Sequence, residues 1–180
     1  SPKYFDKIRL PEDSKLRKVV RIVNPLGEDT SVMRTTTIPH MLEALERNYL
    51  RKNAEAKLFE IGKIFLNAEN IQDNNLCLEK QILTLGAYGN NIDFYDIKSV
   101  ITKIINKFNV KTDIKRSDKS YLHPGISAEI LSEDGDILAT IGKISPIVIK
   151  NYDLPENTYI ARRAGQLNNE TKFVLKRFGA

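Results

Sequence analysis

The stretch from Ala56 to Leu66, AKLFEIGKIFL, constrains the fold of this chain more than any other. Phe59, Ile61 and Phe65 fall on one face of an extended backbone, and Leu58, Ile64 and Leu66 on the other. A strand apolar on both faces is expected to be covered on both, which places it centrally in its sheet. The polar, turn-rich Asn67 to Asn75 comes next, and Gln81 to Tyr88 (QILTLGAY) returns as a second strand. The two are expected to pair antiparallel and to form the middle of the sheet. A chain of 180 residues buries about two thirds of its unfolded surface, enough for one domain over residues 1–180.

Helical patterns frame this pair. Ile38, Met41, Leu42, Leu45 and Tyr49 share a face, Glu43 and Arg47 sit four apart on another, and Pro39 suits a first turn, so a helix is expected from Pro39 to Arg51. A second apolar stripe, Ile97, Val100, Ile101, Ile104, Ile105 and Phe108, predicts a helix with Asp96 as its N-cap and Lys98, Lys103 and Lys107 on its outer side. Lys18 to Val23 reads as a short strand stopped by Asn24-Pro25-Leu26-Gly27. Ser127 to Leu131 and Ile137 to Ile144 read as a hairpin about Asp134-Gly135. A helical turn at Ile147 to Tyr152 and a last strand at Thr158 to Ala161 complete the pattern. The fold class is α+β: an antiparallel sheet flanked by helices.

Chemistry is sparse. The sequence has no Gly-rich phosphate loop, no nucleophile elbow and no paired histidines at metal spacing. Cys77 stands alone, and with only His40 and His123 it makes neither a disulfide framework nor a zinc cluster, a composition suited to a reducing cytoplasm. No run approaches the roughly 18 apolar residues that spanning a bilayer requires, so no membrane association is expected. Asp134 and Asp136 around Gly135 read as a turn, not a cation site. His40, beside an apolar helix face, reads as a packed or capping histidine. His123, in Leu122-His123-Pro124-Gly125, is read as a loop residue whose restricted backbone orients it towards a ligand, a partner or an ordinary hydrogen bond. Arg34 suits two roles equally, pinning a carboxylate such as Glu60 or holding a ligand.

The net charge of +5 is concentrated at the end: from Arg162 onward, Arg162, Arg163, Lys172, Lys176 and Arg177 face only Glu170. Such a segment is a solvated basic tail or, as an alternative function, an RNA-binding module that contacts transfer RNA through phosphates, with Phe173 and Phe178 available for stacking.

Four ordered blocks carry a family resemblance: Val20 to Phe65, then DFYDIKSVITKIINKF, YLHPGISAEI and IGKISPIVIKNYDLP. Together they resemble the core domain of the beta-subunit family of bacterial phenylalanyl-tRNA synthetases, over nearly the whole chain. The resemblance implies a class II aminoacyl-tRNA synthetase-like fold without catalysis, partnered by a catalytic alpha subunit in an (αβ)2 assembly that ligates phenylalanine to its tRNA. ATP and magnesium are implied only for that parent complex, with no cofactor, metal or catalytic residue in this chain.

In a working class II site the second signature motif ends in Phe-Arg-x-Glu; here Phe65 is followed by Leu66, the marker of a lost site. The third motif is also absent at Thr158 to Leu167, so no phosphate role passes to Arg162 or Arg163. Arg34, Glu60, His123, Pro124 and Gly125 remain as structural or interface candidates. Ile126 and Ser145 replace the basic residue and the histidine common in the family. Ser1-Pro2, without an initiator Met or a leader, reads as the edge of a piece, with residues 166–180 beginning a linker to a C-terminal domain. An open sheet edge or exposed apolar patch is expected near the N-terminus.

Overall fold

The computed structural model describes residues 2–67 and 77–163. Six strands form one antiparallel sheet: β1 (Ala56–Leu66), β2 (Leu78–Tyr88), β3 (Thr112–Arg116), β4 (Leu122–Ser132), β5 (Ile137–Ile144) and β6 (Thr158–Arg163). The order across the sheet is β1-β2-β6-β5-β4-β3. Among the described residues four α-helices accompany it: α1 (Lys3–Lys7), α2 (Ile38–Leu50), α3 (Phe94–Asn106) and α4 (Pro146–Asn151). None of the helices among the described residues is long and apolar enough to cross a membrane.

Each face of the sheet has its own core. On one, α2 lays Ile38, Met41, Leu42 and Leu45 against Tyr88 and Ile160, joined by Phe5, Ile8 and Leu10 from the N-terminal segment and by Val148 and Ile149 from α4. The approach of α2 to β2 depends on Gly86, where a Cβ would collide with Met41 and Leu45. On the other face, Ile97, Ile101 and Ile105 of α3 pack on Ala87, Ala139, Ile141, Tyr159 and Ala161. The neighbours Tyr88 and Ala87, or Ile160 and Tyr159, belong to opposite cores because successive strand residues point to opposite faces.

The α+β class, the antiparallel pairing of β1 with β2 and the apolar faces of α2 and α3 match the sequence-based expectations. Several details differ. β1 is an edge strand and β1–β2 is not the middle of the sheet; the middle pair is β6 and β5, with β6 inserted between β2 and β5 although it is the last strand among the described residues. Alternating apolar residues signal cover on both faces only where a second layer reaches them, and α3 packs on β5 and β6. Phe59 and Ile61 are therefore 72% and 61% exposed. The open edge and its apolar residues lie on β1, whereas the N-terminal segment is itself packed into the core.

Lys18 to Val23 does not form a strand. It makes one bridge, Arg21 opposite Val32, with hydrogen bonds from Ile22 N to Ser31 O and from Met33 N to Val20 O, both 2.9 Å. Its β-branched residues lack a sheet to join, and Val23 and Leu26 stand in solvent. The N-cap of α3 is Asp93, not Asp96. The two form a reciprocal capping box, in which Asp93 Oδ1 accepts from Asp96 N and Asp96 Oδ2 accepts from Asp93 N, each at 2.9 Å. Thr112–Arg116, unforeseen in the sequence, is the fully exposed edge strand β3.

Candidate functional site

Arg34 organises one end of the sheet. It follows the Arg21–Val32 bridge and runs beside the outer edge of β1. Its carbonyl accepts from Phe65 N at 2.8 Å and its Nε donates to Lys63 O at 2.7 Å. Its Nη1 lies 2.6 Å from Glu60 Oε1, with both side chains 29% exposed. The guanidinium crosses the strand over Gly62, where a Cβ would overlap it and the Glu60 carboxylate. One arginine thus occupies two main-chain groups near the end of an open strand edge, the Phe65 N–H and the Lys63 carbonyl, a device that limits edge-to-edge pairing. Of the two roles open to Arg34, the geometry provides the pin to Glu60, which sits on a strand.

Beside it opens a cleft of about 520 Å³ lined by Tyr4, Ile22, Val32, Arg34, His40 and Phe65 among others. The His40 ring meets the Tyr4 ring edge-on, with centroids 5.5 Å apart, and its Nδ1 is buried without a hydrogen-bond partner. Burial, followed by the Arg34 charge, lowers the His40 pKa from its ordinary value; Glu43 and Glu60 oppose this more weakly. Tyr4, hydrogen-bonded to Glu43, is raised, first by burial. His40 is a packed histidine at the start of α2, as its place beside an apolar stripe suggests.

Three threonines between Arg34 and α2 were not singled out from the sequence. Thr35 Oγ1 donates to Leu16 O at 2.6 Å, Thr36 Oγ1 accepts from Ile38 N at 3.4 Å, and Thr37 Oγ1 shares a 2.5 Å bond with Thr84 Oγ1 of β2. All three are buried. The signal available for them was the run of three hydroxyls directly before a helix, where local hydroxyl-to-backbone bonds are favoured. A second unforeseen cluster is the buried Glu129 carboxylate of β4, 3.3 Å from Lys115 Nζ and 3.2 Å from Lys119 Nζ.

His123, Pro124 and Gly125 lie within β4 and not in a loop. They occupy the irregular stretch between the pairs Leu122–Ile144 and Ser127–Gly142, where proline removes a ladder donor. His123 Nδ1 accepts from Gly125 N at 3.0 Å, and Arg116 Nε donates to Pro124 O at 2.7 Å. Three strands separate β4 from β1, roughly 19 Å at the usual spacing, so this motif and the Arg34–Glu60 pair form no common site. Leu66 is the half-buried last residue of β1, opposite Leu78.

Asp134-Gly135-Asp136 is a turn: Gly135 N donates to Ser132 O at 3.0 Å and Gly135 adopts φ 84°. Ser145 caps α4 through Val148 N at 3.4 Å. Arg163 stacks over Phe108, 4.9 Å from guanidinium carbon to ring centroid. Lys172, Phe173, Lys176, Arg177 and Phe178, and with them the basic tail and the expected linker, lie outside the described residues. Among the described residues no cluster of three or more His, Cys, Asp or Glu is placed to hold a metal ion.

The sequence model of a family described as "Phenylalanyl tRNA synthetase beta chain CLM domain" matches residues 1–162. The "Phenylalanine--tRNA ligase beta subunit" of Clostridium acetobutylicum is 44% identical over 163 residues, covering 89% of this chain and 20% of that protein. That of Clostridium tetani is 43% identical over 163 residues, with the same coverage of 89% and 20%. That of Staphylococcus aureus (strain USA300) is 35% identical over 153 residues, covering 80% of this chain and 19% of that protein. The chain spans about a fifth of the length of these relatives.

Proposed function

Because this chain belongs to the phenylalanyl-tRNA synthetase beta-chain family, we propose that it is the non-catalytic structural core of such a subunit, with a class II synthetase-like fold. In this reading it supports a catalytic alpha subunit, in the cytoplasm, in the ligation of phenylalanine to its tRNA. ATP, magnesium and tRNA are handled by the parent complex.

The end of β1 is the observation that carries the non-catalytic reading. Stabilising a triphosphate in its reaction takes cationic donors converging on it. The residue after Phe65 is Leu66, and the guanidinium of the nearby Arg34 is committed to the Glu60 carboxylate and the Lys63 carbonyl. An arginine that holds a strand edge and a carboxylate in place serves architecture.

The test has two parts. The chain is expected to co-elute with its cognate alpha subunit, and alone to form no phenylalanyl-tRNA when given ATP, magnesium, phenylalanine and tRNA. Charging by the chain alone overturns the non-catalytic reading, and failure to co-elute overturns the supporting role.

A further inference from the structure

A second cleft, of about 550 Å³, opens on the face of the sheet that carries α3. Phe94 and Tyr95, from the first turn of α3, form one wall, and Ile114 and Arg116 of the edge strand β3 form the other, with Ala128 and Tyr159 below. The register explains the placement. Arg116 stands opposite Ala128 and Ile114 opposite Ile130, and Ile130 belongs to the core under α3, so both β3 side chains project to that face.

Two side chains of this cleft are held in place and still present open surfaces. The Tyr95 ring, 72% exposed, is braced edge-on by the Phe94 ring, with centroids 5.7 Å apart. Arg116 Nε donates to Pro124 O at 2.7 Å, which fixes the exposed guanidinium, and its terminal amino groups hold no ion pair among the described residues. Such a fork matches a phosphate, and an exposed aromatic face stacks on a planar base. The surrounding charge favours an anion. From Lys98 to Arg116 six basic residues stand against Asp113 alone, and only Lys111 and Lys115 among them are paired, with Glu133 and Glu129. Lys98, one helical turn on from Phe94 and Tyr95, continues the row of cations beyond the cleft.

We propose that this cleft binds a nucleotide unit, with its base on Tyr95 and its single phosphate on Arg116. Asp93 also lines the cleft, and its carboxylate already accepts from Asp96 N in the cap of α3. As an acceptor it suits the donor edge of a base and disfavours further phosphates, which sets a monophosphate or diester unit ahead of a triphosphate. The unit belongs either to a single-stranded nucleic acid or to a free mononucleotide, and the cationic row through Lys98 suits the strand. A duplex, whose bases are already stacked, offers no free face to Tyr95. The site lies on the opposite face of the sheet from the Arg34–Glu60 pair and goes beyond the structural role above, since neither depends on the other.

The full chain contains no tryptophan, so Tyr95→Trp supplies a single reporter whose fluorescence a stacked base quenches. Titration with hexauridylate in about 0.1 M salt is expected to quench it saturably, with a dissociation constant of about 0.1 mM. Arg116→Ala in that background should weaken binding about tenfold. Lys103→Ala, which removes the same charge away from the cleft, should weaken it by about twofold at most. Arg116→Lys, which keeps the charge without the fork, should fall between the two. Uridine monophosphate that quenches as tightly as the hexamer assigns the site to a free nucleotide, and a hexamer several-fold tighter assigns it to a strand. No quenching by either up to about 2 mM overturns the proposal. So does quenching that Arg116→Ala leaves unchanged, or that inorganic phosphate or a blunt RNA hairpin produces equally well.

Discussion

Arg34 Nη1 and Glu60 Oε1 meet at 2.6 Å across Gly62, tying the segment before α2 to the edge strand β1. The pair is partly shielded and is backed by the bond that Arg34 Nε donates to the Lys63 carbonyl of β1. Arg34→Ala is therefore expected to cost about 1–2 kcal/mol, more than an exposed ion pair. Gly62→Ala is expected to cost about as much, because its methyl displaces the guanidinium. In the Arg34→Ala background the same change should be nearly silent. Denaturant melts of the four proteins give this cycle; additive losses would show that Gly62 does not serve Arg34.

His40 makes a separate expectation about pH. Its folded-state pKa lies below its ordinary value of about 6.5, chiefly through burial. The unfolded chain therefore binds the proton first as pH falls. Stability contributed by neutral His40 is full above about 6.5 and is lost as pH drops through the folded pKa. The groups facing it are Tyr4, Arg34, Glu43 and Glu60. Thermal melts between pH 7.5 and 5 should fall less steeply in His40→Gln protein; parallel curves would remove His40 from the account.

Leu66 bears on nucleotide binding. Titration calorimetry with ATP and magnesium is expected to show no saturable site tighter than about 1 mM. Leu66→Arg should not create one, since a single cation at a strand end does not assemble converging donors. Leu66 is half-buried at the last position of β1, so the substitution should cost only about 1 kcal/mol. A nucleotide site appearing in the Leu66→Arg protein would mean that the rest of an ATP pocket is intact.

The elements legible in the sequence were those whose own period declares them. The stripe of Ile38, Met41, Leu42 and Leu45 gave α2 to within a residue, and the alternation from Ala56 gave β1 to its ends. What could not be read was order across the sheet. Placing β6 between β2 and β5 depends on long-range pairing, which leaves no local pattern in Thr158–Arg163. At the candidate site, Arg34 with Glu60 was visible as an option because an arginine before a helix needs acceptors. The bonds of Thr35 and Thr37 were not, because their partners Leu16 and Thr84 lie far away in the sequence. The turn-forming residues of His123-Pro124-Gly125 predict a loop, although a strand tolerates them at an irregular pairing.

Transfer RNA offers a check on the basic tail. If residues 164–180 act as a solvated segment, binding of the chain to tRNA should be weak, should fall steeply with added salt and should not prefer the phenylalanine species. Filter binding across a salt series measures this. Selective binding that persists at moderate salt would favour the RNA-contacting alternative.

The central claim, that this core supports catalysis without performing it, meets its most direct test in active-site titration of the assembled alpha–beta complex. The burst of pyrophosphate released on mixing with phenylalanine and ATP counts working sites. One site per alpha–beta pair, unchanged by Arg34→Ala in beta provided the complex stays assembled, is the expected result. Two sites per pair, or a burst lost with Arg34→Ala while assembly is intact, would contradict it.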